Sequence, residues 1–139
     1  MRFTLYADGG SRGNPGPAGS GAIVRDENAA VVLTVSEFLG VTTNNVAEYT
    51  AVLRALEGLA TTLGSSAAEA DILVRMDSML VVRQMKGEWK IKHPNMKPLA
   101  TSVAEAARRF KSVSYEHVYR ENNKDADQLA NEAMDRGAA

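Results

Sequence analysis

The groups in this chain best placed to do chemistry together are carboxylates, and their positions say more than their number. Asp8 follows Arg2-Phe3-Thr4-Leu5-Tyr6-Ala7, a run that alternates with period two as a strand does, and precedes a string of small turn-formers from Gly9 to Pro17. Asp77 follows a mostly apolar run, Ile72 to Met76, and Ser78 behind it is suited to cap a helix over Met79 to Met85. Glu48 lies on the same helical stripe as Val52, Ala55, Leu56, Leu59 and Leu63, so it points at the sheet from the first turn. Asp127 lies in the first turn of a last helix, at the border of its apolar face (Ala126, Leu129, Ala130, Ala133), whereas Asp125 lies further round. Each acid has an ordinary explanation: an Asp-Gly turn for Asp8, caps and helix dipoles for the others. Their joint arrangement is harder to explain that way. In open α/β sheets ligands collect at the carboxyl ends of strands, and here two strand ends and two helix starts deliver acids toward one place. An ionised Asp buried there is costly without a partner or a cation.

The chain has no cysteine and only two histidines, so the donor set is oxygen alone. That selects a hard cation, Mg²⁺ or Mn²⁺, over zinc. The chemistry that uses paired ions in such a cage is phosphodiester hydrolysis, with the ions roughly 3.5–4 Å apart. Arg120, between the last strand and the final helix, could hold a phosphate oxygen or offset developing charge; a guanidinium cannot serve as a base. The competing role is an ion pair with Glu121 or another nearby acid. Lys86 to Lys97 is the densest basic stretch and holds the single Trp, Trp89. It fits either a path for a phosphate backbone with a stacking ring, or a solvated loop with Trp89 folded onto the core. His117 falls inside a strand and reads as structural.

The elements that must position these residues follow from periodicity. A second strand over Gly19 to Arg25, a turn at Asp26-Glu27-Asn28 and a third strand over Ala30 to Phe38 make an antiparallel meander that Gly40 ends. Thr42-Thr43-Asn44-Asn45 supplies the cap of the helix running to Leu63, and Gly64 to Ala68 reads as a flexible surface connection. After the basic stretch, Pro94 and Pro98 open a helix to Phe110 with Leu99, Val103 and Ala106 on its apolar stripe. The last strand is expected over Val113 to Tyr119 and the last helix over 123–136. The result is one α/β domain over 1–139: a five-stranded mixed sheet, meander plus two parallel strands, flanked by helices. With 45% hydrophobic and 24% charged residues the composition is that of an ordinary globular protein, and the net charge of −1 offers no global attraction for nucleic acid. No apolar run is long enough to span a bilayer, so no membrane partner is expected and a cytoplasmic location follows by default.

In combination the motifs resemble type 1 ribonuclease H across essentially the whole chain. They are Asp8-Gly9-Gly10-Ser11 with Gly13-Asn14-Pro15-Gly16-Pro17, Thr42-Thr43-Asn44-Asn45 with Ala47-Glu48, Asp77-Ser78, and Arg120-Glu121-Asn122 with Ala126-Asp127-Gln128-Leu129-Ala130. The resemblance implies the ribonuclease H-like fold and a metal-dependent endonuclease that cuts the RNA strand of RNA–DNA hybrids, leaving 3′-hydroxyl and 5′-phosphate ends. It implies two Mg²⁺ ions, with Mn²⁺ a substitute, held by Asp8, Glu48, Asp77 and Asp127. It places RNA contacts at Gly9, Gly10, Ser11, Asn14, Asn44 and Asn45, and a DNA phosphate at Thr43 and Asn95, with Trp89 along the DNA strand. The expected partner is the hybrid itself, bound by a monomer with no obligatory protein partner. Three departures stand out. Arg120 is the nearest basic residue where many members carry a loop His; the Lys86–Lys97 segment replaces a long basic handle helix; and Met79 stands where some members place a Gln.

Overall fold

Period-two alternation of buried (Phe3, Leu5, Ala7) and more exposed (Arg2, Thr4, Tyr6) side chains sets the opening segment as a long strand, β1 (Arg2–Ser11), in a computed structural model that describes residues 1–138. It pairs antiparallel with β2 (Gly16–Arg25), which pairs antiparallel with β3 (Val31–Thr42). On its other side β1 runs parallel to β4 (Asp71–Met76), and β4 parallel to β5 (Ser112–His117), giving the order β3-β2-β1-β4-β5. The expected five-stranded mixed sheet is therefore present. The helices are α1 (Asn44–Leu63), α2 (Met79–Met85), α3 (Lys97–Ala107) and α4 (Lys124–Ala138). Among the described residues no helix is long and apolar enough to cross a membrane.

Several boundaries differ from expectation, and one difference bears on the site. β1 does not stop at Asp8. Its parallel pairing with β4 ends at Tyr6–Arg75, while its antiparallel pairing with β2 continues to Ser11–Ala18. The residues facing each other there, Gly9 with Ser20 and Gly10 with Gly19, are too small to interrupt a ladder. The turn is displaced to Arg12–Gly16, closed by a 2.9 Å bond from the Arg12 N–H to the Pro17 carbonyl. Asp8 thus sits where β1 and β4 part company, at a gap in the sheet. Similarly, Gly40 does not end the meander; it takes a positive φ of 75° inside a bulge, and β3 runs on to Thr42. Gly64–Glu69 is a short 3₁₀ helix and not a flexible connection, because Ala67 is buried against the core. The last strand ends at His117, where its partner β4 ends, with only the Val118 N–H still bonded to the Met76 carbonyl.

The core is the face of the sheet under α1 and α3: Leu5, Ala7, Val24, Ile72 and Val74 meet Val52, Leu56, Leu59 and Val103. The register shows that α4 lies on the opposite face. A side-chain position at Gly9 faces α1, whereas the next one, Gly10, faces Met134 of α4. Asp8 therefore faces the same side as Gly10 and its cross-strand partner Gly21, the α4 side. Glu48 reaches the gap from α1, and Asp77 from the end of β4.

Candidate active site

Two close approaches bring the helices to the gap. A Cβ at Gly9 would stand 2.3 Å from the Ala47 carbonyl carbon and 2.4 Å from the Glu48 nitrogen, so the first turn of α1 rests directly on the β1 backbone. Ser20, opposite Gly9, donates its hydroxyl to the Ala47 carbonyl at 2.7 Å and fixes the same turn. Thr43 caps it, its Oγ1 accepting from the Val46 N–H at 3.3 Å. On the other face a Cβ at Gly21 would stand 2.3 Å from the Ala126 carbonyl oxygen, so α4 lies on β2 beside Asp8. Asn123, buried just ahead of α4, donates its Nδ2 to the Ala7 carbonyl at 3.0 Å and ties the helix start to the residue before Asp8. Asp127, one turn on, comes within hydrogen-bonding reach of the Asp8 carboxyl. Asp125, by contrast, pairs with Arg25 at 3.0 Å away from the acids.

The assembled group holds negative charge in poor solvent contact. Asp8 and Glu48 are only 7% and 6% exposed. Burial, then the charge of Asp77 and the hydrogen bond with Asp127, pushes the Asp8 carboxyl up to about 8, against a single backbone bond from the Gly9 N–H at 2.9 Å. Burial raises Glu48 to about 7, with the Ser78 hydroxyl opposing and Asp77 adding to the rise. Among the described residues Arg120 is the one cation in ion-pair range of any of the four acids, with Nε 3.8 Å from Asp77 Oδ2, and its own side chain is 82% exposed. No three acid or histidine side chains among the described residues stand together as a finished metal cage. Asp8 is instead the electrostatic hub: the charges of Asp77 and Asp127 both act on it, and that of Asp77 acts on Glu48 as well. An all-oxygen donor set with uncompensated charge fits a hard divalent ion better than any softer one.

Comparison with known proteins bears on what this group is for. A family model described as Reverse transcriptase-like matches residues 6–133. The Mycobacterium tuberculosis bifunctional protein Rv2228c is 48% identical over 139 residues, covering 99% of this chain and 37% of the relative. The ribonuclease HI of Halobacterium salinarum is 40% identical, covering 96% of this chain and 65% of the relative. Among solved structures, LC11-RNase H1, isolated from compost and also solved with an RNA/DNA hybrid, superimposes with a TM-score of 0.93 at 43% identity, covering 99% of both chains. The chain belongs to the type 1 ribonuclease H family. It spans little more than a third of the length of the mycobacterial relatives, 37%. Within the ribonuclease H family it is a compact form: α2 is followed by a loop and then α3, with no added basic helix between them.

Within this family framework, the remaining candidates lie around a cleft of about 340 Å³. Asn44 and Asn45 line it on the α1 side, and His117, Tyr119 and Arg120 on the β5 side. Asn14 reaches the rim by accepting the Asn44 N–H at 3.2 Å, and the Ser11 hydroxyl lies 3.5 Å from the same Asn14 oxygen. Gly9 is explained by packing under α1 and Gly10 by contact with Met134, without need of a ligand. Trp89 and Asn95 lie outside this cleft. Trp89 is 47% exposed and flanks a separate depression with Lys90, Lys92 and His93, so it is not folded onto the core. The Asn95 N–H turns back to His93 Nδ1 at 3.2 Å. Arg120 pairs with Asp77 and not with Glu121. Sequence reasoning took His117 as structural and passed over Tyr119. What places them is the parallel register of β5 on β4, which puts His117 beside Met76, one residue before Asp77, and no local sequence pattern announces it.

Proposed function

We propose that this chain is a divalent-metal-dependent endonuclease that hydrolyses the RNA strand of RNA–DNA hybrids. The observation that carries the reading is the meeting of Asp8, Glu48 and Asp77 in one cleft, with Asp127 acting on Asp8 from α4, where burial and mutual repulsion raise Asp8 and Glu48 together. The hybrid-bound structure of LC11-RNase H1, at 43% identity, supports the same substrate class here.

Asp8, Glu48, Asp77 and Asp127 would hold two Mg²⁺ ions, or Mn²⁺ in their place. When bound, such a pair lowers the pKa of the attacking water and stabilises the leaving oxygen, leaving 3′-hydroxyl and 5′-phosphate ends. The protein's own part is positional. Asp8, which accepts the Gly9 N–H and is acted on by both Asp77 and Asp127, would be the carboxylate shared between the ions. Asn44 and Asn45 offer amide groups to the 2′-hydroxyl, which both donates and accepts, and Asn14, Ser11 and the Gly9–Gly10 backbone extend that rim. Arg120, anchored loosely and well exposed, holds a phosphate oxygen or offsets charge there. Thr43 and Asn95 would take a DNA phosphate and Trp89 would lie along the DNA strand, with Lys90 and Lys92 beside it. The reading takes the protein as a cytoplasmic monomer.

The test is cleavage of an end-labelled RNA–DNA hybrid beside matched double-stranded RNA and DNA, with Mg²⁺ or EDTA. Cutting confined to the RNA of the hybrid, and abolished by EDTA, is the expected result. Equal cleavage of double-stranded DNA would sink the assignment.

A further inference from the structure

Beside the acids the cleft carries an aromatic pair that the proposed reaction does not use. Tyr119 is 69% exposed although it is the largest apolar side chain on this rim. Its ring meets the His117 ring edge to face, with centroids 5.9 Å apart and planes at 80°. His117 is held by the β5 ladder opposite Met76, and the Val118 N–H is bonded to the Met76 carbonyl at 2.8 Å, so the segment carrying Tyr119 is fixed to the strand that delivers Asp77. Among the described residues the Tyr119 hydroxyl has no hydrogen-bond partner. Two other tyrosine hydroxyls are engaged: that of Tyr6 accepts from Arg75, and that of Tyr49 donates to Gln84.

An exposed ring that a neighbour holds in place, with a free phenol at its tip, presents an apolar face and one donor at once. We propose that Tyr119 is a ribose-reading residue: its ring packs on the sugar of the nucleotide next to the scissile phosphate, and its phenol donates to that nucleotide's 2′-hydroxyl. The wide, shallow minor groove of an A-like duplex displays sugars and 2′-hydroxyls outward while the bases stay stacked, so a sugar is what a rim aromatic can touch. Position follows from the chain. Arg120, the next residue at about 3.8 Å between Cα atoms, is the group beside Asp77, so a ribose adjoining a phosphate in the acid cleft falls within reach of the Tyr119 ring. His117 is the positioning residue, bracing the ring from its edge.

The inference rests on the hybrid-cleavage reading, and one experiment separates the two. A set of hybrids carries a single 2′-deoxynucleotide moved one position at a time along the RNA strand, and kcat and KM are measured for wild type, Tyr119→Phe and Tyr119→Ala. In the wild type, one deoxy position beside the cut lowers kcat/KM through Tyr119. Tyr119→Phe, which keeps the ring, should lower kcat/KM on the all-RNA strand by roughly three- to tenfold, the scale of one net hydrogen bond. It should then show no further loss from deoxy substitution at that one position, while other positions keep their wild-type effects. Tyr119→Ala should lose more, chiefly in KM, with an unchanged thermal midpoint because the ring is exposed. A Phe variant with the wild-type position profile overturns the proposal, as does an Ala variant with wild-type kinetics. Wild-type protein that cuts no hybrid at all overturns the cleavage reading and this inference together.

Discussion

Asp77 and Arg120 set a half-sheltered acid beside an exposed cation at the cleft. Asp77 adjoins both Asp8 and Glu48 and has one cationic neighbour, Arg120, at 3.8 Å. Asp77→Asn keeps the size of the side chain and removes a ligand charge; it should lower Mg²⁺-dependent turnover by about a hundredfold or more, since loss of even a supporting group around a metal costs about 10–100-fold. If Asn44, Asn45 and the basic loop carry hybrid binding as proposed, it should stay near the wild-type level in a filter-binding or polarisation assay. Full turnover at ordinary Mg²⁺ would remove Asp77 from the site. For Arg120 the pairing with Asp77 is long and the guanidinium largely solvated, so it contributes little to stability and is free to turn toward a phosphate. Arg120→Ala should reduce turnover by roughly ten- to a thousandfold, the scale of losing one charge-stabilising donor, and leave the thermal midpoint unchanged. Arg120→Lys should recover part of it, because the charge returns without the bidentate fork. Wild-type turnover in the alanine variant would leave Arg120 as a surface residue.

At the level of elements, the site depends on two helices lying directly on glycines of the sheet. Gly9→Ala puts a methyl within 2.3 Å of the Ala47 carbonyl carbon, which is backbone and cannot swing aside. The first turn of α1 must lift, carrying Glu48 with it, so the variant should lose roughly 1–3 kcal/mol of stability in urea unfolding and most of its turnover. An unchanged midpoint would mean that α1 does not rest on β1 as described. This dependence marks the boundary of what the sequence made legible. Periodicity located the strands and helices, and Thr43 and Ser78 announced their caps, because those signals are local. The inward direction of Glu48 and Asp127 was legible for the same reason: each shares a helical stripe with residues that must be buried. What was not legible depends on pairing across the chain. Gly9 and Gly10 read as members of a run of small turn-formers, and the approach of α1 and Met134 that also requires them to be small was not legible there. β1 ran past Asp8 because its partner residues in β2 are equally small. His117 and Tyr119 gained their place only from the alignment of β5 with β4, which no local pattern encodes.

For the whole molecule, gathering acids around one gap creates a conflict between folding and function that pH should expose. Asp8 is raised from 3.8 to about 8 and Glu48 from 4.5 to about 7, both chiefly by burial and both pushed further by Asp77. In the unfolded chain each ionises near its ordinary value. Between pH about 4 and about 8 the folded protein therefore holds more protons than the unfolded one, and stability must fall as pH rises through that window. The thermal midpoint in EDTA should accordingly drop by roughly 5–15 °C between pH 5 and pH 8, at a few degrees per kcal/mol for a domain of this size. On the proposed reading Mg²⁺ would bind the folded, ionised cluster, and should then restore much of the loss at pH 8 and little at pH 5. Asp8→Asn removes the most strongly raised group together with its repulsion of Asp77. Its midpoint in EDTA should exceed that of the wild type at pH 8, converge with it toward pH 5, and respond weakly to Mg²⁺. Differential scanning calorimetry of both proteins across this pH range, with and without Mg²⁺, reads all of these at once. Parallel wild-type and Asp8→Asn curves would show that Asp8 titrates as an ordinary surface acid, and the picture of a charge-strained cleft would fall with it.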